Sequence, residues 1–132
     1  MATNAYVAVK TDSGYDTIYV HNDGYPDYMY PLLRDWYDSV ERAMALVSFG
    51  DASFLAKRIM PSLGSGHCFG RPEVDVCIFY HRDRGESFHN EHYPDKQSLL
   101  LAQYYVYIYE DGCWKAYING KEVDNYAVFG SL

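Results

Sequence analysis

A chain of 132 residues with 48% hydrophobic residues is long enough to bury a core without disulfide or metal staples, and one domain is expected over 1–132. A formal net charge of −7 repels phosphate backbones, so no direct non-specific nucleic-acid binding is expected, and basic partners suit the surface better. No apolar run approaches the ~18 residues of a membrane span, and Met1-Ala2-Thr3-Asn4 opens no leader pattern. We therefore expect a cytoplasmic protein, with the widely spaced Cys68, Cys77 and Cys113 as reduced thiols.

In chain order, 5–10 and 15–21 read as a β-hairpin, because Tyr6-Val7-Ala8-Val9 and Thr17-Ile18-Tyr19-Val20 flank the turn-formers Asp12-Ser13-Gly14. Asn22-Asp23-Gly24 and Pro26 stop the second strand. Pro26 and Asp27 then suit a first helical turn, with Tyr28, Leu32 and Trp36 on one stripe. Asp38 is the expected N-cap of a second helix, with Glu41 three residues on. Val40, Ala43, Met44 and Val47 mark its apolar face. A third short helix is expected to carry Phe54, Leu55 and Ile59.

Residues 61–73, rich in proline and glycine, read as a loop. Val74 to Tyr80 is apolar on both faces and reads as a central strand. From His81 to Asp95 a long polar loop is expected, and Ser98 to Gln103 adds a helical turn. Tyr104 to Tyr109, Cys113 to Ile118 and Lys121 to Val123 read as strands joined by Asp111-Gly112 and Asn119-Gly120. Tyr126 to Phe129 is read as a further edge strand. This order implies an α+β fold, a mostly antiparallel β-sheet with two or three helices packed on one face.

Two segments echo each other. Ile18-Tyr19-Val20-His21-Asn22-Asp23-Gly24-Tyr25-Pro26 and Ile78-Phe79-Tyr80-His81-Arg82-Asp83-Arg84-Gly85-Glu86 each run from β-favouring residues into His-x-Asp and then glycine. If both strands end at one rim, His21, Asp23, Tyr25, His81, Arg82, Asp83, Arg84 and Glu86 form a ligand- or partner-binding patch. A carboxylate on a ring N–H fixes an imidazole tautomer and raises its pKa, as a general base requires. Arginines hold phosphates or carboxylates in a bidentate manner. The opposing reading is that the aspartates cap turns while the arginines pin the long loop.

Other chemistries fit less well. His81-Arg82-Asp83 matches the kinase catalytic-loop triplet, but the chain is too short for that fold and has no glycine-rich phosphate loop. No metal or other cofactor is expected: His67 and Cys68 are adjacent, and Cys77 and His81 at i, i+4 on a strand stand about 13 Å apart. His89-x-x-His92 offers only adventitious zinc binding. A Cys68 nucleophile activated by His67 suffers from the same adjacency. The fifteen tyrosines offer rigid, amphipathic contacts, among them Tyr105, Tyr107 and Tyr109 on one strand face.

His21-x-Asp23-Gly24-Tyr25-Pro26, Leu32-Leu33, Gly50-Asp51-x-Ser53-x-Leu55 and Tyr80-His81-Arg82-Asp83-Arg84-Gly85-Glu86 together resemble a group of small accessory proteins of bacteriophages, prophages and other mobile elements. The resemblance covers roughly residues 15 to 118. It implies an accessory protein acting inside a bacterial host cell by binding a host protein, as an inhibitor of a CRISPR or other defence component. The residues leave two other readings open: a domain binding an anionic small molecule or nucleotide, and a small hydrolase with His21 or His81 as base. A homodimer is also compatible with the sequence.

Overall fold

A computed structural model describes residues 2–123. The chain runs through strands β1 (Ala5–Thr11) and β2 (Gly14–Val20), helices α1 (Pro26–Trp36) and α2 (Val40–Val47), and strands β3 (Ala52–Phe54) and β4 (Ile78–Phe79). There follow helix α3 (Tyr80–Arg84), strand β5 (Glu91–Tyr93), helix α4 (Lys96–Ala102), and strands β6 (Tyr105–Glu110), β7 (Cys113–Ile118) and β8 (Lys121–Val123). The strands form one mixed, mostly antiparallel sheet in the order β4-β3-β2-β1-β6-β7-β8, so the fold is α+β. β5 pairs with β2 beside Tyr15–Thr17, on the edge where β3 pairs with Val20.

β1 lies at the centre of the sheet because both of its faces are apolar. Val7 and Val9 meet α1 and α2 in the larger core, with Met29, Leu33, Leu46 and Tyr107. Ala8 faces the opposite way, onto Leu99 of α4, Val106 and Ile108. The helices therefore cover both faces, α1 and α2 on one and α4 on the other, rather than one as expected.

Turn chemistry sets the hairpins. Asp111 and Asn119 adopt φ +55° and +52°, each followed by a glycine at about +80°, the paired left-handed residues of a tight two-residue turn. Gly24 is required for space: a Cβ there would sit 2.6 Å from the Ala5 Cβ. Its N–H donates to the Thr3 carbonyl and its carbonyl accepts from the buried Tyr107 hydroxyl.

Five expectations are corrected in detail. Ser39, not Asp38, caps α2, its hydroxyl accepting from the Arg42 N–H at 3.1 Å. The buried face of α2 is Ala43, Leu46 and Val47, so Val40 and Met44 are turned outward. The expected third helix is instead β3, because the Ala52 and Ser53 carbonyls accept the His21 and Asn22 N–H groups that continue β2. The expected central strand at 74–80 lies at the sheet edge and shrinks to Ile78–Phe79. Asp75 at φ +64° breaks it, and Val76 forms only an isolated bridge to Arg58. The polar stretch 81–95 also gains structure, α3 and β5. The predicted strand at Tyr126–Phe129 lies outside the described residues. None of the described helices is long and apolar enough to cross a membrane.

Candidate functional site

The two His-x-Asp segments leave β3 in opposite directions. β2 runs parallel to β3, while β4 runs antiparallel to it. His21 therefore continues alongside Ala52 and Ser53 toward the C-terminal end of β3, whereas Tyr80 and His81 pass its start, where the Tyr80 N–H donates to the Asp51 carbonyl. Seven of the eight candidate residues separate into three groups, and the eighth, His81, packs edge-on against Phe88 instead.

Arg82 and Asp83 form the first group and are turned inward. The Asp83 carboxylate accepts from the Phe79 N–H at 2.8 Å and from Arg82 through both oxygens, and lies 3.3 Å from the His67 Nε2. His67 Nδ1 in turn accepts from the Glu73 N–H. The Arg82 guanidinium also donates to the Ile59 and Cys77 carbonyls and packs over the Phe49 and Phe79 rings. Burial raises the Asp83 pKa, but Arg82 and the Phe79 N–H outweigh it and hold the carboxyl below its ordinary value. These two side chains pin the loop 58–76 to the sheet edge.

Asp23 and Tyr25 form the second group, in the turn before α1. Asp23 takes φ +58°, and the half-exposed Tyr25 stands at the α1 N-cap with its ring 6.4 Å from Tyr28.

The third group lies on an aromatic strip. Rings run from Tyr93 to Tyr6 (6.0 Å between centroids), from Tyr6 edge-on to Tyr19 (6.4 Å) and from Tyr19 to His21 (5.9 Å). The strip owes its alignment to strand alternation: Tyr6 pairs directly with Tyr19, and Tyr15, on the same β2 face, pairs with Tyr93. Burial raises the Tyr19 pKa, with neighbouring Tyr80, Tyr6 and Asp51 adding to it. Tyr80, opposite in direction to the core residue Phe79, stands on the same face one strand beyond β3 and stacks on Phe69 (5.7 Å). The Arg84 guanidinium lies over both rings, 4.2 Å from the Phe69 centroid, and pairs with Glu86. His21 and Arg84 thus flank one surface through the tyrosines between them, although neither touches the other's segment.

The histidines differ in protonation geometry. The Asn4 amide donates to both the His21 carbonyl and Nδ1, and the Tyr19 hydroxyl approaches the same nitrogen at 2.8 Å. Nδ1 of His21 is therefore an acceptor, and the proton sits on Nε2. In His81, Nδ1 lies 2.7 Å from the Glu86 carbonyl, which only accepts, so Nδ1 carries a proton.

Three further contacts were not foreseen from the sequence, although Asp51, His89 and His92 were named there. Asp51 seals the seam between β3 and β5: its carboxylate accepts from the Tyr19 N–H and from His89 Nδ1 at 2.6 Å. His92 bonds to the Asp16 carboxylate and the Ser13 carbonyl through its two nitrogens. Glu110 is buried with Lys96 and Tyr117 on its Oε2. Each joins residues at least seven positions apart, and only strand pairing reveals them. Conversely, Tyr107 and Tyr109 of the expected tyrosine face are core residues beneath α1 and α2. Among the described residues no cluster of three or more His, Cys, Asp or Glu is placed to hold a metal ion.

No protein-family model matches the chain, and no curated protein and no solved structure matches it either.

Proposed function

We propose that this chain is a binding protein whose contact face is the strip Tyr93, Tyr6, Tyr19, Tyr80 and Phe69, flanked by His21 and Arg84. In line with the resemblance of its sequence, the partner is a host bacterial protein, and binding inhibits a defence component on behalf of a mobile element. The observation that carries the reading is the strip itself: half-buried rings held rigidly by a sheet, with charged groups at one end. Tyrosine gives large contact area at little side-chain entropy, and a ring already packed against its neighbours loses less freedom on binding.

The experiment is affinity capture from a bacterial lysate with the wild type and with Tyr6→Ala, Tyr19→Ala and Arg84→Ala. A specific host protein should be retained by the wild type and lost from the two tyrosine variants, with melting temperatures checked to exclude unfolding. Retention of the same protein by folded Tyr6→Ala and Tyr19→Ala would refute the assignment of this face. Recovery of only a second copy of the chain would replace the host partner with a homodimer.

A further inference from the structure

A second surface lies on the α1/α2 side of the sheet, where the end of α1, the outer face of α2 and the chain at 57–60 enclose an open trough of about 490 Å³. Its apolar walls are Trp36, Ile59 and Met60, and its polar ones Arg42, Lys57 and Arg58. Trp36 is 45% exposed and Met60 62% exposed. A large ring left this open is unusual on a free surface, and tryptophan, methionine and arginine are enriched where proteins meet.

The charged side chains that line the trough are all of the sign opposite to the molecule's net charge. The chain carries −7 overall on 11 basic and 18 acidic residues, yet three of the basic ones line the trough and no carboxylate does. Arg58 is held by Glu73 at 2.6 Å, which fixes its stem as a wall. Arg42 makes only a long, exposed contact of 3.5 Å with Asp38, an arrangement that exchanges readily for another carboxylate. The Lys57 ammonium lies 5.3 Å from the Trp36 ring centroid, and no described carboxylate is within ion-pair distance of it.

The walls are also preformed. Tyr37, directly after Trp36, donates its hydroxyl to the Ala56 carbonyl and accepts the Trp114 indole N–H at its own carbonyl. The Arg58 backbone is clamped on both sides, by the Asp75 carbonyl and the Cys77 N–H. A site that needs no ordering keeps more of its contact energy as affinity.

From the trough's apolar floor, its three cations and its rigidity, we infer that it docks an acidic peptide segment of a partner protein. One aromatic or large aliphatic side chain enters between Trp36, Ile59 and Met60, and flanking carboxylates pair with Lys57 and Arg42. A nucleic acid is disfavoured, because its continuous phosphate charge would meet the acidic remainder of the surface.

The test uses the full chain and a labelled 12-residue peptide in which glutamates flank one phenylalanine, followed by anisotropy and by tryptophan emission. Trp114 is buried, so a change in emission on binding reports Trp36. Saturable binding should weaken at least about tenfold, or 1.4 kcal/mol, in Lys57→Glu and in Trp36→Ala, and also fall with added salt. Lys57 is exposed, so its variant should fold even if Trp36→Ala does not. Three results would overturn the inference: no binding up to millimolar peptide, equal binding of a peptide with glutamine for glutamate, or tighter binding of a single-stranded oligonucleotide of the same length. Neither variant should affect capture through the tyrosine strip.

Discussion

Arg82 and Arg84 stand two positions apart in one charged motif, and their physics differs completely. Arg82 shares its guanidinium between a carboxylate that is 3% exposed and two backbone carbonyls, while Arg84 pairs with Glu86 where both side chains are nearly half exposed. Removing one partner of a buried pair leaves an uncompensated charge, at a cost of about 3–5 kcal/mol, whereas exposed pairs contribute about 0–1 kcal/mol. Asp83→Ala should therefore lower stability by about 3 kcal/mol or more in urea unfolding, and Arg84→Ala by under about 1 kcal/mol. Equal effects would contradict the buried network. Because the Asp83 pKa is lowered in the folded state, its contribution is complete above the unfolded carboxyl pKa, about 3.9, and is lost as pH falls through the lower folded value. Wild type and Asp83→Ala should accordingly converge in stability only in strong acid. In the sequence the two arginines look equivalent. What separates them is that α3 is a short helix, which turns positions 82 and 83 inward and 84 outward, and nothing in a polar, aperiodic stretch announces that turn.

At the scale of elements, β5 is a short attachment, three residues paired to β2 and exposed over most of its length. His92 holds it from the side. Both of its ring nitrogens face atoms that only accept, a carboxylate oxygen at 2.9 Å and a carbonyl oxygen at 3.0 Å, so the doubly protonated ring alone satisfies both. The Asp16 hydrogen bond, followed by that from Ser13, raises the His92 pKa. A raised folded pKa means that the attachment is at full strength below the unfolded value of about 6.5 and is lost as pH rises through the folded one. Raising the pH above about 6.5 and through the higher folded value should thus loosen β5. An NMR titration should show the His92 ring and the Glu91–Tyr93 amides moving together, and the amide changes should vanish in His92→Gln. Amides that titrate unchanged in that variant would assign the effect elsewhere. Elements of this kind were the least legible. The hairpins were readable because Asp-Gly and Asn-Gly encode their own turns, and α2 because its apolar period is local. β3 and β5 are strands only because β2 offers them an edge, and a three-residue pairing leaves no periodicity in the chain.

At the scale of the molecule, the fold class was legible and the convergence of the two His-x-Asp segments was not. Each strand end is marked clearly in the sequence, but whether two ends meet depends on relative direction, and β4 reverses the sense that β2 and β3 share. Net charge, by contrast, is a property of the whole chain and needs no topology. The seven excess negative charges surround a local basic site along the Lys57 trough, so short anionic groups can be met locally while long polyanions cannot. A 20-base-pair duplex of arbitrary sequence should therefore show no saturable binding at 0.15 M salt in fluorescence anisotropy, up to protein concentrations of about 100 µM, a range in which non-specific DNA-binding proteins respond. Lowering the salt should not rescue binding, because neutralising few phosphates releases few counterions and the net repulsion grows as screening falls. Binding that strengthens steeply at low salt would mean that a basic face outweighs the overall charge, and the acidic-peptide assignment of the trough would then give way to a nucleic acid.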